Sequence, residues 1–316
     1  KVSISQPAEY CLEGPGPEYE ALGMMGTNLL IDDPKAVAKA NDLANRMGMD
    51  CISTGAMIGF AIECYEKGLI NYEDTGGLEL KWGDPDILIE LTKQIGEKRD
   101  FGSVFAEGTL FAAHKIGQGS QEIVAHVKGL DLAAHDARAC FSLAPSYATA
   151  TRGACHFRGG CEDIEMGGFY IPEIGIEEGF VEFFKIENQS LLAIKAQDFF
   201  GLLNSLVLCD FMVDGGGLSF SKVQELFNAI TGWDYSIDDL MTAGERGFTL
   251  QRLINIRDGY SIKTDKLPQK MFKPAQEGHR AGQIPPFKEL MDDYYRIRGW
   301  DHYGFPKDAT LKRLGI

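Results

Sequence analysis

The chain has 316 residues, 44% of them hydrophobic and 24% charged, enough for a sizeable core and for two domains or one large one. A net charge of −15 and a pI near 4.9 repel nucleic acid and anionic membrane, so neither is expected as a partner. No apolar run approaches the roughly 20 residues that span a bilayer, and the polar start lacks the apolar stretch of a secretory signal. The seven cysteines are scattered and odd in number, which reads as reduced thiols of a cytoplasmic protein.

The opening 30 residues are rich in Gly and Pro and read as irregular structure. A helix is expected from Asp32-Asp33-Pro34, where an acidic cap meets a proline with preset φ. Val37, Ala40, Leu43, Ala44 and Met47 recur at helical spacing, and Gly48 stops the run. A second helix is expected from Thr54 to Lys67, closed by Gly68. Asp84-Pro85 opens a third through Ile95, and a fourth covers about 104–115. Residues 117–185 are dense in Gly, Ala and aromatics and lack long periodic segments, yet are too apolar for disorder; a site is the better reading. Helices return at about 187–208, 221–231 and 238–258, with Ser221 and Ser236 as caps or near them, and at 286–298. The tail from Gly299 reads as a surface-wrapping extension. Strand-like alternation is scarce, so the fold class is mostly α and multihelical, with no internal repeat.

Three stretches carry residue types suited to chemistry. In Gly14-Pro15-Gly16-Pro17-Glu18-Tyr19-Glu20, carboxylates follow a rigid turn; this is either a solvated loop or a carboxylate held as general base or proton donor. In Thr151 to Cys161, Arg152, His156 and Arg158 lie among small residues, which let backbone N–H groups and guanidinium forks approach an anion. Cys155, His156 and Cys161 lack the close CxxC pair of a zinc site, and a lone loop histidine is more often structural. In Asn204 to Asp210, Cys209 near a helix end is either a small core residue or a ligand, though one cysteine cannot hold a cluster. No GxGxxG, Walker A, HExxH or GxSxG stands in a suitable context, so nicotinamide, nucleotide, zincin and hydrolase readings have no support.

In this order, the segments resemble the aldehyde ferredoxin oxidoreductase family. The resemblance rests on Gly16-Pro17-Glu18-Tyr19-Glu20 followed by Gly26-Thr27-Asn28 and Asp32-Asp33. It continues in Asp50-Cys51-Ile52-Ser53-Thr54-Gly55, in Glu63-Cys64-Tyr65-Glu66-Lys67-Gly68 and in Lys128-Gly129-Leu130-Asp131. It closes with Arg152-Gly153-Ala154-Cys155-His156 and Arg298-Gly299-Trp300-Asp301. It covers essentially the whole chain and implies the family's two C-terminal helical domains, assigned here to 1–125 and 126–316. The family's β-rich N-terminal domain would be a missing partner.

The resemblance implies a tungsten (or molybdenum) bis-pterin and a [4Fe–4S] cluster, neither expected to be retained by an isolated fragment. Two loops of the pattern Asp-x-x-Gly-Leu-(Asp/Cys)-x hold the pterins in the family. Here they are Asn45 to Cys51, with Met49 and Asp50 as contacts, and Asn204 to Asp210, with Leu208 and Asp210. Asn replaces the leading Asp in both, and Val207 stands at the Gly position, which opposes a Gly-only backbone conformation. Cys209 falls on the fourth cluster ligand, Glu20 and His156 on the active-site acid–base residues, and Arg158 near the cofactor. Phe141, Tyr147, Phe157 and Tyr170 either line a substrate channel or form core. The implied activity is oxidation of aldehydes to acids with electrons passing through the cluster to ferredoxin or another electron carrier; a homodimer is compatible. Two further readings remain: the tungsten subunit of a benzoyl-coenzyme A reductase acting on a thioester, and a cofactor-free helical remnant that binds a partner protein.

Overall fold

Aspartates set where the helices of the first half begin. In the computed structural model, which describes residues 1–215 and 217–316, the Asp33 carboxylate accepts from the Lys35 N–H at 2.9 Å. Asp50 accepts from Ser53 N at 2.7 Å, and Asp84 accepts from Asp86 N and Ile87 N at 2.9 and 3.2 Å. Each satisfies donors that a helix start leaves unpaired.

The chain divides into two compact units, residues 1–134 with 268–270 and residues 135–267 with 271–316. The first holds helices α1 (Tyr19–Met25), α2 (Pro34–Met47), α3 (Cys51–Glu66), α4 (Pro85–Glu97) and α5 (Thr109–Ile116). Two short antiparallel ribbons accompany them, β1 (Val2–Ile4) with β2 (Leu12–Gly14) and β3 (His126–Val127) with β4 (Leu130–Asp131). Its core gathers Met25, Leu29, Val37, Ile58, Phe60, Leu88, Leu91 and Phe105, the inward stripes of α1 to α4.

The second unit holds α6 (Leu143–Thr149), α7 (Cys161–Glu165), α8 (Gln189–Ser205), α9 (Phe211–Asp214), α10 (Phe220–Thr231), α11 (Ile237–Arg257), α12 (Phe287–Arg298) and α13 (Asp308–Leu314). Its central helix, α8, packs on α11 and α12. The core there is partly ionic. Arg298, 2% exposed, bonds Asp198 at 2.5 Å and Gln197 at 3.1 Å. Tyr294 donates to Gln197, and the Gln197 amide reaches Thr149 Oγ1 at 3.0 Å on α6. Arg252 makes a bidentate pair with Asp265 at 2.8 and 2.7 Å and lies over the Trp300 ring. Paired this way, each buried charge has a partner, without which its burial would be costly.

The mostly helical class holds. Four local expectations change. α1 lies inside the stretch read as irregular. The helix expected over 104–115 is a 3-10 turn, Asp100–Phe105, then α5, separated by Gly108 at φ +94°. The cap of α10 is Ser219, accepting from Lys222 N, two residues ahead of Ser221. The tail is no mere surface strap: Trp300 is 2% exposed and Asp308–Leu314 is a helix. Among the described residues no helix is long and apolar enough to cross a membrane, and all seven cysteines are free thiols.

Candidate functional site

The two loops of interest are alike in backbone. At the end of α2 the Gly48 N–H bonds the Asn45 carbonyl and the Met49 N–H bonds the Ala44 carbonyl. At the end of α8 the Val207 N–H bonds the Asn204 carbonyl and the Leu208 N–H bonds the Leu203 carbonyl. This is one helix-ending motif used twice, with a left-handed residue at the fourth place. Gly48 takes φ +70° and Val207 takes φ +59°. The sequence expectation that Val207 would resist this conformation is thus corrected: the valine adopts it, strained, with its side chain 90% exposed.

The alternation of exposure also matches. Asn45, Gly48 and Asp50 are exposed while Met47 and Met49 are half-buried; Asn204, Val207 and Cys209 are exposed while Leu206 and Leu208 are half-buried. Asn204 turns its amide back to the Phe200 carbonyl at 2.8 Å. Asp50 is occupied in capping α3. Cys209 presents an exposed thiol and Asp210 is buried.

In the first unit Glu20 stands in the first turn of α1, 2% exposed, and its carboxylate accepts from the Ala134 N–H at 3.0 Å. α1 packs on α3, the helix that Asp50 caps. The same unit contains a cavity of about 100 Å³ lined by Phe60, Trp82, Asp131 and the Glu63–Lys270 ion pair. Asp131 accepts from Thr109 Oγ1 at 3.0 Å, and burial pushes its carboxyl up to about 7.

In the second unit His156 begins a single 3-10 turn, His156–Arg158, and is 5% exposed. The N–H groups of Gly159 and Gly160 both bond its carbonyl. Gly160, at φ +48°, leads straight into α7, and a Cβ there would sit 2.3 Å from the Phe200 ring, so α8 can approach only because the residue is glycine. The imidazole stacks on His135 with centroids 4.6 Å apart. Phe157 meets His156 edge-on at 5.1 Å and Phe211 at 5.5 Å. A run of rings therefore joins the His156 turn to Phe211, the residue after Asp210. Arg152 is exposed and Arg158 half-buried; neither forms an ion pair among the described residues.

The structure thus brings His156, Arg158 and the Asn204–Asp210 loop together in the second unit. Glu20 and the Asn45–Asp50 loop belong to the first. Phe141 and Tyr147 are core, 3% and 0% exposed, whereas Phe157 and Tyr170 are exposed at 36% and 38%. Sequence reasoning missed His135, which stacks on His156, and Glu162, fully buried in α7; the signal for both was that they lie in the aperiodic stretch already marked as a site.

Comparison with known proteins bears on this paired-loop arrangement. The family profile described as "Aldehyde ferredoxin oxidoreductase, domains 2 & 3" matches residues 1–316. The chain belongs to the aldehyde ferredoxin oxidoreductase family. It is 33% identical over 307 residues to a tungsten-containing aldehyde ferredoxin oxidoreductase of Pyrococcus furiosus, covering 96% of this chain and 49% of that protein. It is 31% identical over 315 residues to the WOR-like subunit of an aliphatic sulfonate oxidoreductase from the same organism, covering 95% and 46%. A solved structure, the active-site complex BamBC of benzoyl coenzyme A reductase with 1,5-dienoyl-CoA, shares the fold, with a TM-score of 0.73 and 20% identity over 94% of this chain and 48% of that one. The chain spans about half the length of the relatives it matches. This is the fold and family of an oxidoreductase, in its C-terminal helical part.

Proposed function

We propose that the chain is the C-terminal part of a tungsten- (or molybdenum-) bis-pterin oxidoreductase that oxidises aldehydes to carboxylic acids and passes electrons through a [4Fe–4S] cluster to ferredoxin. The paired loops carry this reading. Two equivalent helix ends keep one backbone geometry even where a valine must take the strained conformation, as two similar halves of one ligand would require. Asn45, Met49 and Asp50 would serve one pterin, and Asn204, Leu208 and Asp210 the other. Arg158, a half-buried guanidinium without a carboxylate partner among the described residues, suits pterin phosphate. The exposed Cys209 thiol suits the fourth position of a cluster whose remaining ligands would come from the protein's other half. Such a protein would work in the cytoplasm, and a homodimer is compatible.

The bound metal group would supply the two-electron oxidation, the part of the chemistry that side chains cannot provide. An aldehyde and a water become an acid, releasing two electrons and two protons. The chain's residues would handle the protons and the pocket. Glu20, aimed by the Ala134 N–H, is suited to take a proton from water. The His156 ring, held by its 3-10 turn and by the His135 stack, is suited to donate a hydrogen bond to the carbonyl oxygen. Phe157, edge-on to His156, and Phe211 would exclude water there, which strengthens the His156 contact.

The relatives at 31–33% identity are aldehyde and sulfonate oxidoreductases, while the benzoyl coenzyme A reductase likeness speaks for fold alone, so aldehyde oxidation stands first. The test uses the full protein with tungsten and pterin measured. Glu20→Gln and His156→Asn should each lower aldehyde turnover by roughly 10²–10⁴-fold with cofactor content unchanged. Full activity in both variants would overturn their roles. Turnover of an aromatic coenzyme A thioester but of no aldehyde would replace the substrate class.

A further inference from the structure

The cavity inside the first unit, about 100 Å³ in volume, is chemically asymmetric. Well-packed interiors leave few voids larger than a water, and this one is shaped by α3. Ala56, Gly59, Phe60 and Glu63, at spacings of three and four, place one face of that helix along it. Two of the four are the smallest residues available. Gly59 also lets the opposite wall close in: a Cβ there would come within 3.1 Å of Asn28 Nδ2 and 3.3 Å of Leu29 Cδ2. Phe60 and Trp82, with Met24 and Leu132, give the cavity its apolar surface.

Its polar groups are cationic in balance. The two Glu63 oxygens face different lysines, Oε2 facing Lys270 and Oε1 facing Lys67 at 3.7 Å. One carboxylate therefore answers two ammonium groups, and Lys270, half-buried, lines the cavity itself. The other carboxyl on the wall, Asp131, accepts from Thr109 Oγ1 at 3.0 Å. Burial, joined by the nearby Asp50 charge, pushes it up to about 7 against the bonds from Thr109 and Ser53, so below that pH it is mostly protonated. An ammonium has three N–H groups to give. Beside an aromatic and aliphatic wall, Lys270 suits an anion with a short hydrocarbon tail. Size sets the limit: a cavity of about 150 Å³ holds the six carbons of benzene, so one of this volume holds roughly four or five non-hydrogen atoms.

We propose that this cavity is a binding site for a short-chain carboxylate of the size of acetate or propionate, with the carboxylate on Lys270 and the hydrocarbon against Phe60 and Trp82. The site goes beyond the proposed function, and it stands or falls by binding, whatever the enzyme turns over.

The test is calorimetric and uses the full, cofactor-loaded protein with propionate as the probe. Propionate should bind with a Kd below about 1 mM, within reach of a ligand of that size, and propylamine, of similar size and opposite charge, should not bind. Lys270→Met keeps the aliphatic stem and removes the charge; it should weaken propionate binding roughly 10–100-fold, the worth of a hydrogen bond to a charged group. Ala56→Leu fills the cavity from the α3 face and should abolish binding. Melting temperatures taken alongside show that both variants are folded. No propionate binding in the wild type, or binding equally strong in folded Lys270→Met and Ala56→Leu, would overturn the proposal; the second result would place the acid elsewhere on the protein. Propylamine bound in preference to propionate would overturn it too, since the carboxyls and not Lys270 would then govern the cavity.

Discussion

Asp131 shows how a single buried carboxyl can set a pH response. It is 5% exposed, and its hydrogen bonds, that from Thr109 among them, do not offset desolvation, so burial pushes its carboxyl up to about 7. Its folded pKa lies above the unfolded value near 4. Its contribution to stability is therefore full in acid and is lost as pH rises toward and through about 7. Asp131→Asn removes that titration and keeps the Thr109 contact. The variant should match wild type in melting temperature near pH 4, then gain on it steadily to about pH 7 and level off, by at most a few kcal/mol. A constant difference across that range would show that burial does not govern Asp131. Residues such as Asp131 and Glu162 are invisible to sequence reasoning, because their chemistry is set by desolvation from distant segments. The roles proposed for Glu20 and His156 rest on the resemblance; the residues alone fit a solvated loop and a structural histidine equally well.

Helix ends were the most readable elements, and for a local reason. Asp33-Pro34 and Asp84-Pro85 carry their own acceptor and preset φ, so their starts follow from two adjacent residues. α1 was hidden because its cap position, Glu18, makes no side-chain cap bond, and α5 was misplaced because Gly108 breaks the run at φ +94°. The α8 end carries a strain that can be measured. A β-branched residue in the left-handed region costs roughly 1–2 kcal/mol, part of which glycine's greater freedom in the unfolded chain offsets. Val207→Gly should therefore stabilise the protein by about 1 kcal/mol in calorimetry; destabilisation would mean that the valine is held by contacts of its own. Between α8 and α12, the Asp198–Arg298 pair allows an asymmetric test. Burial pushes Asp198 up to about 6 despite the arginine. Asp198→Ala strands a guanidinium that cannot lose its proton and should cost about 3–5 kcal/mol. Arg298→Met leaves a carboxyl that can take up a proton, so its cost should be smaller in acid and grow as pH rises. Equal, pH-independent losses would show that packing of the two stems outweighs their charges.

At the scale of the whole molecule, the chain spans about half the length of the relatives it matches, and on the proposed reading it supplies loops and proton-handling side chains but few ligands. On the proposed reading Cys209 is the chain's contribution to the cluster, and a [4Fe–4S] cluster needs about four thiolates. Made alone and reconstituted anaerobically, the chain should bind iron and sulfide far below stoichiometry; near-stoichiometric incorporation would show that its other cysteines can converge. The mostly helical class was readable from periodicity because α2, α4, α10 and α12 each have one apolar stripe. The tail was not, because what buries Trp300 is non-local: it is covered by Arg252 from α11 and by Tyr294 and Tyr295 of α12. That burial also has a temporal meaning. A ribosome extends the chain from N- to C-terminus at roughly 5–20 residues per second, so the helices of the first unit emerge before those of the second. The second unit must wait for Trp300 before Arg252 has its aromatic cover, roughly 2–10 seconds at that rate in which a guanidinium destined for the interior remains in water. Its late closure makes this half the one that a chaperone would have to shield.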